Sequence, residues 1–300
     1  MELVPFDDRD GWIWWDGALV AWRDAKLHVL THGLHYASAV FEGERAYAGN
    51  IFRLHDHTER LISSARIMGF ELPYTAAQID AACAAVLAAN GLTDAYVRPI
   101  AWRGSEMLAV AAQHTRIHLA IAAWPWPSYF GDDRMSGIRM GMAEWKRPSP
   151  DTAPTAAKAT GLYMIGTLSK HHAERQGYAD ALMLDWRGNI AEATGANIFL
   201  VIDGELHTPD PDCFLDGITR RSVISLARRQ QMKVVERHIA ASEIGRATEV
   251  FLAGTAAEVT PVCEIAGHSY TPGRITETLL KGYDTLVRQS PAQVASMVAS

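Results

Sequence analysis

The chain has 300 residues, 48 % hydrophobic and 21 % charged, which suits roughly two globular domains of ~150 residues and excludes a disordered chain. Twenty-eight Lys and Arg against 34 Asp and Glu leave a net charge of −6. With no basic tract to neutralise phosphates, nucleic-acid binding is not expected.

Only six of the 28 cations are lysines, so a lysine in an apolar stretch stands out. Cys83, Cys213 and Cys263 are odd in number and lack metal-ligand spacing, which argues against a disulfide framework or a zinc site. The start, MELVPFDDRDG, is too polar for a secretory signal, and no apolar run approaches the ~18 residues of a membrane span. A soluble, cytoplasmic protein with no membrane partner is the expectation.

Residues 12–15 and 18–22 flank Asp16-Gly17, a two-residue hairpin signal, and residues 42–47 and 51–54 flank Gly49-Asn50 in the same way. In HDHTERLISSARIMGF, Asp56 with Glu59 three residues on reads as a capping box, followed by Leu61, Ile62, Ala65 and Met68 at helical spacing. Residues 79–89 predict a helix ending at Asn90-Gly91; residues 95–102 and 117–124 predict strands. The segment PWPSYFGDDRMSG collects proline, glycine and charge and is the expected interdomain loop. It divides the chain into a small domain of residues 1–127, a connection of 128–139 and a larger domain of 140–300. Beyond it, residues 138–143 read as a strand and 160–176 as a helix closed by Gly177. A meander follows through 181–185, a turn at Arg187-Gly188-Asn189, 198–202, Asp203-Gly204 and 205–207. Gly217-Ile218-Thr219 opens the helix RRSVISLARRQQ, and the strand EVFLAG runs into Thr255-Ala256-Ala257.

Lys158 lies in PTAAKATGLYMIGTL, where its apolar surroundings favour the neutral amine that a Schiff-base lysine needs. A lysine snorkelling to the surface would give the same pattern. Lys170 falls near a helix end, where a cation suits the dipole. Two turns could cradle a phosphate: Leu215-Asp216-Gly217-Ile218-Thr219, a glycine before a helix N-terminus, and Gly254-Thr255-Ala256, small residues at a strand end. Taken alone, such a glycine before a helix is more often only an ordinary turn. Glu192 sits among small uncharged residues in NIAEATGAN; it needs a cationic partner if buried and none if it lies at a wet strand end. His32/His35 and His55/His57 invite a metal reading, but His55-Asp56-His57 is better explained as a helix entry, and no metal site is expected.

Six stretches in order carry a resemblance: THGLHYASAVFEGERAY, DAYVRPIAWRG, AKATGLY, AEATGANIF, FLDGITRRSV and FLAGTAAEVTPV. Across residues 12–265 the chain resembles the fold-type IV pyridoxal-phosphate enzymes, and among them the branched-chain amino-acid aminotransferases. The resemblance implies an α+β fold in two domains, a smaller sandwich-like N-terminal one and a larger C-terminal one with a mixed sheet or pseudo-barrel, with pyridoxal 5'-phosphate at their interface. By that resemblance, Lys158 would hold the cofactor aldehyde as an imine and shuttle the proton. Glu192 would pair with the pyridinium nitrogen, and Tyr163 would hydrogen-bond the phenolate oxygen. Arg60, Ile218, Thr219 and Thr255 would hold the phosphate at the Gly217 and Gly254 turns, with Leu215 packing on the ring. Tyr96, Arg98 and the amides of Thr255 and Ala256 would receive the substrate carboxylate, and Phe41, Tyr36, Trp126 and Tyr129 would wall an apolar side-chain pocket. Glutamate must enter the same cavity, and Arg45 is the expected second polar contact.

The resemblance also implies a homodimer or a higher homo-oligomer, with the Tyr36 region contributed by the second subunit. The activity it implies exchanges the amino group of L-leucine, L-isoleucine or L-valine with 2-oxoglutarate. D-amino-acid and (R)-amine transaminases and aminodeoxychorismate lyase share the fold and are the alternatives. The chain departs from several relatives at Leu162, where they carry asparagine, and in the loop between Arg98 and Trp126, so no pocket role is assigned within residues 107–110.

Overall fold

A computed structural model describes residues 4–126 and 134–298. The chain divides into two compact units, Met1–Pro127 with Ala157–Gly161, and Ser128–Ala156 with Leu162–Ser300.

The first unit comprises β1 (Trp12–Trp15), β2 (Ala18–Ala21), α1 (His32–Tyr36), β3 (Ala39–Phe41), β4 (Glu44–Tyr47), β5 (Asn50–Ile51), α2 (Leu54–Ile67), α3 (Ala76–Ala89), β6 (Ala95–Arg103) and β7 (Ile117–Pro125). The strands form one antiparallel sheet in the order β2-β1-β7-β6-β4-β5, with β3 also on β6. The first hairpin turns at Asp16 and Gly17, both at positive φ (46° and 100°), as a tight right-twisted connection needs. The second turns one residue earlier than the sequence suggests, at Ala48-Gly49 (φ 48° and 82°), and Asn50 pairs with Tyr47. That register places Ile51 opposite Ala46 and into the core; a slip of one residue would turn it to solvent.

Helix α2 starts at Leu54 behind Arg53, which is left-handed (φ 51°) and gives no side-chain cap. The expected Asp56/Glu59 capping box is therefore absent: Asp56 lies inside the first turn and accepts from Arg53 Nε and Nη2 at 2.9 and 3.0 Å. A capping box does open α3, where Thr75 and Gln78 each accept the other's backbone N–H. Leu61 and Ala65 of α2 and Ile79, Cys83 and Val86 of α3 bury their faces with Val97, Leu119 and Ile121 of the sheet.

The second unit comprises β8 (Ile138–Met142), α4 (Met164–Arg175), β9 (Asp180–Leu184), β10 (Asn189–Ala193), β11 (Asn197–Ile202), β12 (Glu205–Thr208), α5 (Ile218–Arg229), β13 (Val234–Glu236), β14 (Ile239–Ala240), β15 (Glu249–Gly254), β16 (Glu258–Ile265), β17 (His268–Ser269), α6 (Arg274–Leu286) and α7 (Pro291–Val298). Strands β11, β15, β16, β8, β9 and β10 pair in that order, and β10 pairs back onto β11, closing a six-stranded mixed barrel. Period-two alternation sorts its side chains. Met140, Leu182, Ile198, Leu200, Val250, Leu252 and Val262 fill one core, while the alternate rings of Phe199 and Phe251 stack 4.9 Å apart. Helices α5 and α6 lie against β15. The helix predicted over 160–176 is a 3-10 turn, Thr160–Tyr163, leading into α4. The fold is α+β, and no helix among the described residues is long and apolar enough to cross a membrane.

Candidate active site

In the first unit, residues 157–161 lie alongside β3. Ala159 forms an antiparallel bridge to Val40, and Thr160 Oγ1 donates to the carbonyls of Ala37 and Ala39 at 3.2 and 3.3 Å. Ala157 and Ala159 are buried, so strand alternation turns Lys158 the other way, only partly buried. The Lys158 main chain is pinned from two sides: its N–H donates to Ser64 Oγ at 3.0 Å, and its carbonyl accepts from Phe41 N–H at 3.1 Å. Lys158 Nζ lies 4.8 Å from the Phe41 ring centroid, and Arg98 Cζ lies at the same distance from that ring. An amine and a guanidinium over one apolar ring suit an anionic ligand with an apolar side chain.

Arg98 Nη2 donates to Tyr96 Oη at 3.2 Å, while its Nε is buried with no hydrogen-bond partner among the described residues. An unpaired buried N–H costs about 1–3 kcal/mol, which an entering carboxylate would recover. The Tyr96 ring packs 5.2 Å from Trp124 and 5.0 Å from Trp126. Its hydroxyl occupies the space a Cβ on Gly43 would need, so this position requires glycine for close approach. Gly43→Ala is expected to displace Tyr96 at about 1–3 kcal/mol of overpacking. Affinity for a carboxylate ligand at Arg98 and Tyr96 should fall about tenfold, and a binding titration of the folded variant checks it.

Arg60 is fixed by Glu42, a fully buried carboxylate that accepts from Nε at 2.7 Å and from Nη2 at 2.8 Å. Glu42 Oε2 also meets His57 Nδ1 at 2.7 Å. Burial alone would raise the Glu42 pKa, but Arg60 and His57 overcome it and hold the group well below the usual carboxylate range. Burial lowers the His57 pKa despite Glu42. The ionised Glu42 can only accept, so His57 carries the proton of this contact on Nδ1. Two residues on, Glu44 is equally buried and shifts the other way, raised by burial and by the Glu42 charge. Arg60 is thus pre-oriented by a dedicated anion.

Arg45 is buried, pairs in register with Tyr96 and lies 5.0 Å from the Tyr47 ring centroid. Tyr36 is exposed at the end of α1, its ring stacked 4.6 Å from His32. The expected wall residue Tyr129 lies outside the described residues. Within 107–110, Ala109 contributes a carbonyl to His32 Nε2 at 2.8 Å, and Val110 is exposed.

In the second unit, Glu192 on β10 faces a cation that the sequence alone did not bring to notice: Arg147 Nε lies 3.3 Å from Glu192 Oε1. Tyr163 closes the 3-10 turn before α4. The turn before α5 is shaped by close approach. A Cβ on Gly217 would overlap Asn197 Oδ1, while Asn197 Nδ2 donates to the Leu215 carbonyl at 3.0 Å. Ile218 and Thr219 are buried at the start of α5, where free backbone amides favour an anion. Gly254 at the end of β15 is similarly tight, its added Cβ 3.1 Å from that of Ala196, and Thr255 and Ala256 follow partly exposed.

Arg220 is a further residue that sequence reasoning passed over. It is 1 % exposed, and donates to Asp216 Oδ1 and Glu236 Oε2, each at 2.8 Å, and to the Pro209 carbonyl at 3.2 Å. The i,i+4 spacing of Asp216 and Arg220 in LDGITR was its only local signal. Glu42, Gly43 and Arg147 meet partners distant in sequence or act through backbone proximity, and no local pattern marks them.

A family model described as amino-transferase class IV matches residues 39–265. The branched-chain-amino-acid aminotransferase of Pseudomonas aeruginosa is 43 % identical over 288 residues, covering 93 % of this chain and 94 % of that protein. The enzyme of the same name from Escherichia coli K12 is 40 % identical over 272 residues, covering 88 % and 87 %. Among solved structures, a branched-chain aminotransferase from Thermoproteus uzoniensis with norvaline superposes with a TM-score of 0.91 at 37 % identity, over 96 % of this chain and 98 % of that one. With a motif-bearing lysine seated over an aromatic ring, a paired carboxylate on the barrel and likeness along nearly its whole length, the chain belongs to the class IV amino-transferase family and groups there with the branched-chain-amino-acid aminotransferases.

Proposed function

We propose that the chain uses pyridoxal 5'-phosphate to exchange the amino group of L-leucine, L-isoleucine or L-valine with 2-oxoglutarate, giving the branched-chain 2-oxo acid and L-glutamate. The carrying observation is Lys158, pinned through both backbone groups and set over the same Phe41 ring as Arg98. The residues present suit the cofactor chemically: an amine for its aldehyde, a carboxylate for its ring nitrogen and a phenol for its ring oxygen. A guanidinium and helix-start amides suit its phosphate, and Gly217 leaves the turn no bulk.

When bound, the cofactor supplies a cationic ring able to accept the electron pair left as the substrate α-proton departs. Lys158 Nζ holds that proton and delivers it again, the reason its backbone must not drift. Glu192 holds the ring nitrogen, Tyr163 the ring oxygen, and Leu215 packs on the ring. Arg60 and the amides of Ile218, Thr219 and Thr255 hold the phosphate. The substrate carboxylate goes to Arg98, Tyr96 and the amides of Thr255 and Ala256. Phe41, Trp126 and Tyr129 exclude water from the side chain, with Arg45 as the polar contact when that side chain carries a carboxylate. A homodimer belongs to the same proposal, supported by the exposed apolar run of Leu27, Val29, Leu30, Leu34 and Tyr36.

The test is a comparison of half-reaction rates on L-leucine, D-alanine and (R)-1-phenylethylamine. L-leucine is expected to be the fastest by at least about tenfold, the equivalent of ~1.4 kcal/mol of transition-state discrimination. L-leucine as the slowest would assign the chain to another activity of the same fold.

A further inference from the structure

We infer that Arg147 is a positioning residue that keeps the proton shared between Glu192 and the cofactor on the ring nitrogen. This rests on the reading above, in which Glu192 pairs with that nitrogen. Arg147 is 7 % exposed and Glu192 is largely buried, and their Nε and Oε1 atoms lie 3.3 Å apart. The arginine is anchored rather than trailing. Its backbone N–H donates to the Leu184 carbonyl at 2.8 Å, its backbone bridges Asp185, and its Nη1 reaches the Leu162 carbonyl at 3.4 Å. One side chain thereby ties the carboxylate proposed for the ring nitrogen to the residue preceding Tyr163, proposed for the ring oxygen. Neighbouring Asp185 does not use up this cation, because its carboxylate is occupied by Arg187 and by the Asn189 N–H.

The direction of the effect follows from distance. Carboxylate and ring nitrogen can share one proton as an ion pair or as two neutral groups. A cation touching the carboxylate attracts it more than it repels a positive charge beyond it, so Arg147 favours the ion pair. Without that cation, burial raises the basicity of Glu192 and the proton moves toward the carboxylate. The ring then loses its positive charge and becomes the weaker electron acceptor.

The test uses pyridoxal phosphate labelled with nitrogen-15 in the ring, bound to the wild type and to Arg147→Lys, Arg147→Met and Glu192→Gln. The wild type and the lysine variant should show a protonated ring nitrogen. Arg147→Met should shift the resonance toward the unprotonated position and lower kcat about 10- to 100-fold, the range seen when an outer partner of a functional group is removed. Should the methionine variant not fold, Arg147→Gln, which keeps the stem and loses the charge, is read in the same way. A Glu192→Gln resonance that moves while the methionine or glutamine variant stays at the wild-type position overturns the inference and leaves the reading intact. A wild-type resonance at the position of free cofactor whose ring nitrogen has been deprotonated in alkaline solution overturns both.

Discussion

Lys158→Ala is expected to lower transamination by about 10⁴-fold or more, the loss seen when a covalent nucleophile and its proton-transfer role are removed together. Cofactor retention should fall far less, because the phosphate is assigned to Arg60 and the α5 turn and the ring to Glu192 and Tyr163. Nothing in the packing predicts a collapse of the fold. Lys158 is only partly buried, and the bonds that hold its segment, to Ser64 Oγ and from Phe41 N–H, belong to its backbone. Activity and pyridoxal-phosphate titration measured on one preparation separate the two effects. Turnover like that of the wild type would remove Lys158 from the mechanism.

Arg220→Met should lower the unfolding midpoint of the second unit by about 6–12 °C, corresponding to ~3 kcal/mol. Removing one partner of a buried ion-pair network costs about 3–5 kcal/mol, because the charge left behind has no water to recover. Here Asp216 and Glu236 keep partial exposure, with side chains 44 % and 34 % accessible, so the lower end applies. The same variant should weaken inorganic phosphate and cofactor binding, since Arg220 ties Asp216 in the turn to Glu236 at the end of β13. A midpoint within about 2 °C of wild type would show that the turn is held by Asn197 and helix α5 without it.

These residues show how far the sequence could be read and where it could not. Strands such as EVFLAG and the helix after Gly217 were legible because alternation, helical spacing and turn residues act over a few positions. The second hairpin was misplaced by one residue because Ala48 adopts a positive φ that its side chain does not advertise. The α2 start was misread for the same reason: Asp56 looks like a cap, but Arg53 supplies the left-handed turn and takes the carboxylate itself. Barrel closure rests on one pairing between β10 and β11, and no composition signal records it. At the site, Lys158 and Glu192 stood out because charge in an apolar or small-residue run is conspicuous. The groups that hold the site residues did not. Glu42 meets Arg60 across 18 positions, and Arg147 meets Glu192 across 45, so each cation and its anion looks ordinary where it stands in the chain.

The most direct measurement is to incubate the purified protein with pyridoxal 5'-phosphate, reduce it with borohydride, digest it and locate any cofactor-bearing peptide by mass spectrometry. Fragmentation of that peptide is expected to place the cofactor on Lys158 itself, and on none of Lys26, Lys146, Lys170, Lys233 or Lys281. Attachment to any of those five, or no attachment at all, would contradict the account.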